Sequence, residues 1–395
     1  MVYSSREDHE PMLDKPFVAK YKPIPIKTLL KNMQDEASIA LDMSFYSLIY
    51  GDVDVAQEVE KIDEKVDEEF NLLAIQLMLA ARDPDDAEKL LPALRLGIAI
   101  DQVVEASSDI AITVIKGYKA GSVVKAALEI TEEIYLKVVI DERYDGITIE
   151  KFKEQFGAVD VIAVRSSGVL VVNPPDDLTL KKGDVLVVRG DRDDVMRVAK
   201  AFNIDLVIPS DQFSPEVKEV ASRLALLKNL SEIAFDLAVY SLLYQDYIAA
   251  EEVLELESFI DDESAKLEME VMKHTKDPQE MYVATVLIRS LEKVSDAATN
   301  IAQLSLSKNE VHPILRKIKE ESEEKVIVIL IKGDCDITLK ELEDKINGNV
   351  IAIYVEGTWI PLPNLGTKLK KGMKVLAKIY EELEELDLPC PVEVR

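Results

Sequence analysis

The chain has 395 residues, 48% hydrophobic and 31% charged, with a formal net charge of −28, a length that fits about two to four domains. The acidity speaks against nucleic acid, whose phosphates are held by Lys and Arg that displace counterions, and against direct docking on an anionic membrane surface. Cys335 and Cys390 form no CxxC and no disulfide framework, there is no apolar signal segment and no run of 18 apolar residues, and a reducing, cytoplasmic setting follows.

In chain order, residues 25–130 read as three or four antiparallel helices. Apolar residues recur three and four apart, as at Leu94, Ile98, Val103, Ile110 and Val114. Asp83-Pro84 marks a helix break and restart, since Pro presets φ for a first turn. The pattern then changes to period two. Residues 134–141 read as a strand, Ile147–Phe156 as a short helix, and VDVIAVRSSGVLVVNPP as a hairpin turning at Ser167-Gly168. KKGDVLVVRGD reads as a turn and a strand, and residues 193–202 as a closing helix.

The scheme then repeats. IALDMSFYSLIYGDVDVAQEV (39–59) and IAFDLAVYSLLYQDYIAAEEV (233–253) share 11 of 21 residues at an offset of 194. Residues 101–111 align with 292–302 at an offset of 191. KVIVILI, TLKELEDKI, NVIAIYVEGTWIPLP and LKKGMKVLAKI follow as a second β-rich unit. The expected fold class is α+β, a tandem repeat of helical bundle and small β-rich domain, at about 20–118, 119–210, 211–312 and 313–395.

Gly146-Ile147-Thr148, the VIAVRSSG segment, Asn173-Pro174-Pro175 and LKKGDVLVVRGD resemble the TrkA C-terminal (RCK-C) domain, the ligand-sensing module of potassium channel and transporter regulators. The second copy is degenerate, with Met373 in place of Asp184 and Tyr354 in place of Arg165, so that the charge is expected to be lost there. The helical repeats resemble PhoU domains. The resemblance implies a cytoplasmic, non-enzymatic regulator of potassium transport, peripheral to the membrane through a channel or transporter subunit. It also implies a homodimer through the β-rich domains; a single chain holding an internal pseudo-dimer is the competing assembly. No GxGxxG opens a βαβ unit, so a nucleotide-binding Rossmann half is absent.

The resemblance places a small ligand, such as a cyclic dinucleotide, on Val161, Ile162, Arg165, Asn173 and Pro174. Arg would grip a phosphate through a planar, charge-assisted fork, and Asn a base edge. A second candidate is an acidic stripe. Asp101, Glu105 and Asp109 fall on one side of a helix opposite Val103, Ile110 and Val114, and Glu292, Asp296 and Asn300 repeat them. Hard oxygen donors on one face suit a divalent metal, which PhoU-like regulators of phosphate uptake use. A solvated helix face gives the same pattern. His9, His274 and His312 are scattered, and no nucleophile-and-base constellation is present.

Overall fold

The computed structural model of the protein describes residues 21–131, 133–157, 159–204, 214–306, 325–379 and 388–394. The first bundle comprises α1 (Ile26–Tyr50), α2 (Val53–Ala80), α3 (Pro84–Ile115) and the short α4 (Ser122–Glu129). Its breaks are written in the residues between helices. Gly51 takes a left-handed φ of 62° to end α1, and the Asp52 side chain then accepts from the Val55 amide to cap α2. Asp83 caps α3 through the Asp86 amide, with Pro84 in the first turn.

The first sheet domain follows: β1 (Glu133–Val139), α5 (Ile149–Phe156), β2 (Val159–Ser166), β3 (Val169–Val172), β4 (Val185–Asp191) and α6 (Arg192–Ala201). Its sheet is antiparallel throughout, in the order β1-β4-β2-β3. The β2–β3 hairpin turns on Ser167 and Gly168, both at positive φ, where the sequence places it.

The second half repeats this. Its bundle is α7 (Pro215–Tyr244), α8 (Tyr247–His274) and α9 (Pro278–Leu306). Its sheet domain holds β5 (Lys325–Ile331), α10 (Leu339–Ile346), β6 (Gly348–Val355), β7 (Thr358–Pro361), β8 (Lys374–Ile379) and β9 (Val392–Val394). The strand order, β7-β6-β8-β5-β9, is that of the first sheet plus one strand. The expected α+β architecture is therefore the observed one. The cysteine expectation needs correction: Cys335 and Cys390 form a disulfide with their Cα atoms 5.3 Å apart.

Both sheets are buried on two faces. Ile134, Leu136, Val138, Val161 and Val188 pack under α5 and α6 in the first domain's own core. Tyr135, Ile162, Ala163 and Val187 belong instead to the large core that runs through both bundles. Alternate strand residues serve the two cores, and a β-bulge between Val161 and Ala163 turns the adjacent Ile162 and Ala163 into the same one, as a bulge between Val350 and Ala352 does for Ile351 and Ala352 in the second sheet. Full burial of each such aliphatic side chain contributes about 1.5–3 kcal/mol, so the sheets are fixed to the bundles by packing.

The bundles meet through α3 and α9, which run antiparallel. Tyr118, just beyond α3, stacks edge-on with Tyr282 at 5.6 Å, and Lys293 Nζ lies 2.6 Å from the Asp109 carboxylate. Asn300 lies 3.4 Å from Gln102 Oε1. By the repeat offset of 191, Gln102 matches Lys293 and Asp109 matches Asn300. One contact, present twice about a pseudo-twofold axis, is thus an ion pair at one end and an amide pair at the other.

Candidate functional site

The first sheet grips its bundle at two carboxylates of the repeated motif, and the second sheet at the equivalent of one of them. In the first half, Asp42 of α1 and Arg189 of β4 are both nearly fully buried and form an ion pair. Tyr135 donates its hydroxyl to Asp42 at 2.7 Å, and a second guanidinium nitrogen of Arg189 reaches Asp160 at 3.4 Å. Burial, with Asp42 beside it, pushes the Tyr135 hydroxyl well above its usual range and keeps it a neutral donor. Lys228 of α7 is also buried; it pairs with Glu232 at 2.8 Å and lies over the Phe45 ring at 4.9 Å. The second bundle therefore abuts the first joint.

The second carboxylate is Asp52 at the α1–α2 tip. Besides capping α2, it receives Arg165 of β2 at 2.8 Å, and Arg165 also reaches Asp54 at 3.3 Å. Its equivalent, Asp246 at the α7–α8 tip, caps α8 through the Ala249 amide and receives Lys374 of β8 at 3.1 Å. Tyr354 stands where Arg165 would be, but the expected loss of charge does not occur. Arg165 pairs across the ladder with Val185, and Tyr354 with Lys374. The cation has moved to the directly opposite residue of the neighbouring strand and still finds the capping Asp. Lys374 lies over the Tyr354 ring at 4.6 Å and near Trp359, itself buried against Tyr240 at 5.4 Å.

The five residues proposed for the ligand are spread by this architecture. Val161 faces the domain's own core and Ile162 the bundle. Arg165 is engaged by Asp52 and Asp54. Asn173 is exposed at a left-handed φ of 45°, with its amide bonded to the Ile162 carbonyl, and Pro174 beside it is buried. The two sheet domains also touch, through Glu133–Asn349 at 2.9 Å and Lys340–Asp191 at 3.4 Å. A cavity of about 110 Å³ lies where both sheets meet α1 and α7, lined by Asp42, Glu133, Glu232, Asp236, Asn349 and Lys378 among others.

The acidic stripe divides. Asp109 is engaged by Lys293, so it belongs to the contact between halves. Glu105 also reaches Lys293, at 3.7 Å, and with Asp101 it faces two carboxylates that sequence reasoning missed, Asp63 and Asp67 of α2. Burial, then the neighbouring acids, raises Asp63 and Asp101 to about 6, and also raises Asp67. The counterparts are Glu257 and Asp261 of α8 with Glu292 and Asp296 of α9. Ligand atoms of Glu257, Asp261 and Asp296 lie within 4.8 Å of one another. Burial and the surrounding acids raise Glu257 and Glu292. The overlooked signal was an acid pair four residues apart in both α2 and α8, at the repeat offset. Elsewhere in the first bundle, burial raises Glu69 to about 7.

The TrkA-C domain model matches residues 134–203. The PhoU domain model matches residues 30–114 and again 224–305. No curated protein matches the chain. Among solved structures, PhoU from Pseudomonas aeruginosa is 15% identical with a TM-score of 0.38, over 71% of this chain and 93% of that one. A structure titled GsuK Channel is 10% identical with a TM-score of 0.19, over 70% of this chain and 63% of that one.

Proposed function

We propose that this protein, which carries two PhoU domains and a TrkA-C domain, regulates cation transport, potassium above all, by sensing a small ligand through its sheet domains and acting on a channel or transporter subunit. Both domain types are regulatory modules; potassium comes from the resemblance of the sheet domain to sensors of potassium transport. The observation that carries the reading is the buried Asp42–Arg189–Tyr135 cluster. It makes sheet and bundle one mechanical unit, so a change in the sheet is felt by α1. A ligand shifts such a unit only if it binds two arrangements with different affinity. One that competes for Arg165 would do so, by parting it from the Asp52 cap.

The test is calorimetric titration of the whole protein with nucleotides and cyclic dinucleotides, repeated on Arg165→Ala. Saturable binding that Arg165→Ala abolishes supports the reading; absence of binding across the panel overturns its sensing part. Because the two sheet domains already touch within one chain, the internal pseudo-dimer is the favoured working unit. A solution mass of two chains would favour the homodimer.

The carboxylate cluster at Glu257, Asp261 and Asp296 favours a second reading, a divalent-metal-binding PhoU protein that regulates phosphate uptake. These hard oxygen donors, joined by Glu292, would suit Mg²⁺, Mn²⁺ or Fe²⁺. Titration with Mn²⁺ checks it: the reading expects binding that Glu257→Gln with Asp261→Asn removes, and fails if Mn²⁺ does not bind.

A further inference from the structure

The only two cysteines of the chain are joined at one corner of the second sheet domain. Cys335 lies between β5 and α10, and Cys390 immediately precedes β9. Both are buried in that domain's core beside Ile331, Ile337 and Leu339. The strand they secure is short: Val392, Glu393 and Val394 pair with Ile331, Leu330 and Ile329 of β5. The Pro391 carbonyl also accepts from the Lys332 amide at 2.9 Å, and Lys332 pairs with Glu393 at 2.6 Å. Both partners of that ion pair are well exposed, so it adds little. A three-residue edge strand is marginal in water; Leu388 and Val392 pack it on the domain core, and the covalent link is a further hold.

The first half closes the same corner without sulfur. Tyr144 stacks on Phe202 at 4.7 Å and packs against Phe152 and Phe156. With Thr148 matching Thr338, the second half has Asp334, Leu342 and Ile346 at the positions of Tyr144, Phe152 and Phe156. An aromatic cluster indifferent to redox conditions is thus replaced by a carboxylate, two aliphatic residues and a bond that thiols undo.

We propose that Cys335–Cys390 is a reversible thiol–disulfide site, a latch that holds β9 on β5 when oxidised and releases it when reduced by a dithiol. A thiolate of the dithiol attacks one sulfur and forms a mixed disulfide; the other cysteine leaves as a thiolate and takes a proton. The second sulfur of the dithiol then displaces the first cysteine, which is also protonated, and the reductant departs as its own disulfide. The effect reaches the joint described above. The held stretch, Ile329–Ile331, includes Leu330, which with Val328, Tyr240, Tyr244, Tyr247 and Lys374 walls a cavity of about 280 Å³ at the α7–α8 tip. Release therefore loosens the second sheet's hold on its bundle. β5 keeps its ladder to β8, and the first joint is untouched.

The test uses the full chain, alkylated at lysis so that existing thiols are trapped, then followed by hydrogen exchange with and without dithiothreitol. The expected result is no trapped thiol and two after reduction. The amides of Lys332, which bonds to the Pro391 carbonyl, and of Leu330 and Glu393, which face each other across the β5–β9 ladder, should then exchange at least about tenfold faster, while that of Ile331, bonded to Met373, and those of 133–139 stay as they were. Cys390→Ser should reproduce the reduced pattern and ignore dithiothreitol. Two thiols trapped at lysis and never oxidised by a disulfide buffer, or unchanged exchange on reduction, would overturn the proposal.

Discussion

The two sheet-to-bundle joints perform the same task with different side chains. The first is ionic: Arg189 and Arg165 of the sheet meet Asp42 and Asp52 of the helical hairpin. The second keeps the capping Asp246 but surrounds its cation with Tyr354, Trp359 and Tyr240. What persists through the duplication is the helix-capping carboxylate and a cation within reach of it, not the strand that supplies the cation. A joint of fixed polar partners responds to charge, whereas one of packed rings responds to shape, so the halves are suited to different inputs.

The largest expected effect breaks the ionic joint. Arg189→Met leaves Asp42 buried without its cation and should cost about 3–5 kcal/mol, read by urea unfolding. Asp42→Leu on top of it should recover most of that loss, because replacing both partners with apolar groups removes the orphaned charge. The aromatic joint is expected to lose a comparable amount by a different route: Trp359→Ala should cost about 3–5 kcal/mol through the cavity it leaves, seen as faster exchange in β6–β8 with β2–β4 unchanged. A global loss of protection would erase the distinction between the joints.

The halves should also differ in pH response. Asp63 and Asp101 rise to about 6 and Glu69 to about 7, against ordinary unfolded values near ~4. A raised carboxyl binds its proton more tightly when folded, so these groups favour the folded state most below the unfolded value. That contribution is lost as pH rises through 6 to 7. Thermal melts from pH 4.5 to 7.5 should show this loss, and Asp63→Asn with Asp101→Asn should flatten it. Smallest of all is the contact between halves: Lys293→Gln should cost about 0.5 kcal/mol or less, and Asp109→Asn added to it should recover the loss by recreating the Gln102–Asn300 pair. A larger cost would mean that this ion pair, and not the surrounding packing, holds the halves together.

Much of this architecture is legible in the sequence because repetition and periodicity are local signals. The helix restart at Asp83-Pro84, the turn at Ser167-Gly168 and the period-two strands each announce themselves within a few residues. The joints do not. Arg165 reads as a ligand contact because the sequence carries no sign that α2 begins beside it. The Arg165-to-Lys374 exchange requires the pairing register of β2 with β4, which only the fold supplies. The disulfide joins residues 55 apart in sequence, and without CxxC spacing nothing local pairs them. The Asp63 and Asp67 partners of the acidic stripe were visible as an i, i+4 pair, but only packing of α2 on α3 turns two stripes into one cluster.

The most direct test of the two-joint account is to move the first cation to where the second half carries it. Arg165→Tyr, Val185→Lys and the double variant would be measured by urea unfolding of the full chain. The account predicts that Arg165→Tyr alone costs about 1 kcal/mol, and that Val185→Lys, neutral or unfavourable alone, recovers at least half of it in the double variant. Strict additivity of the two changes, with no recovery, would contradict it.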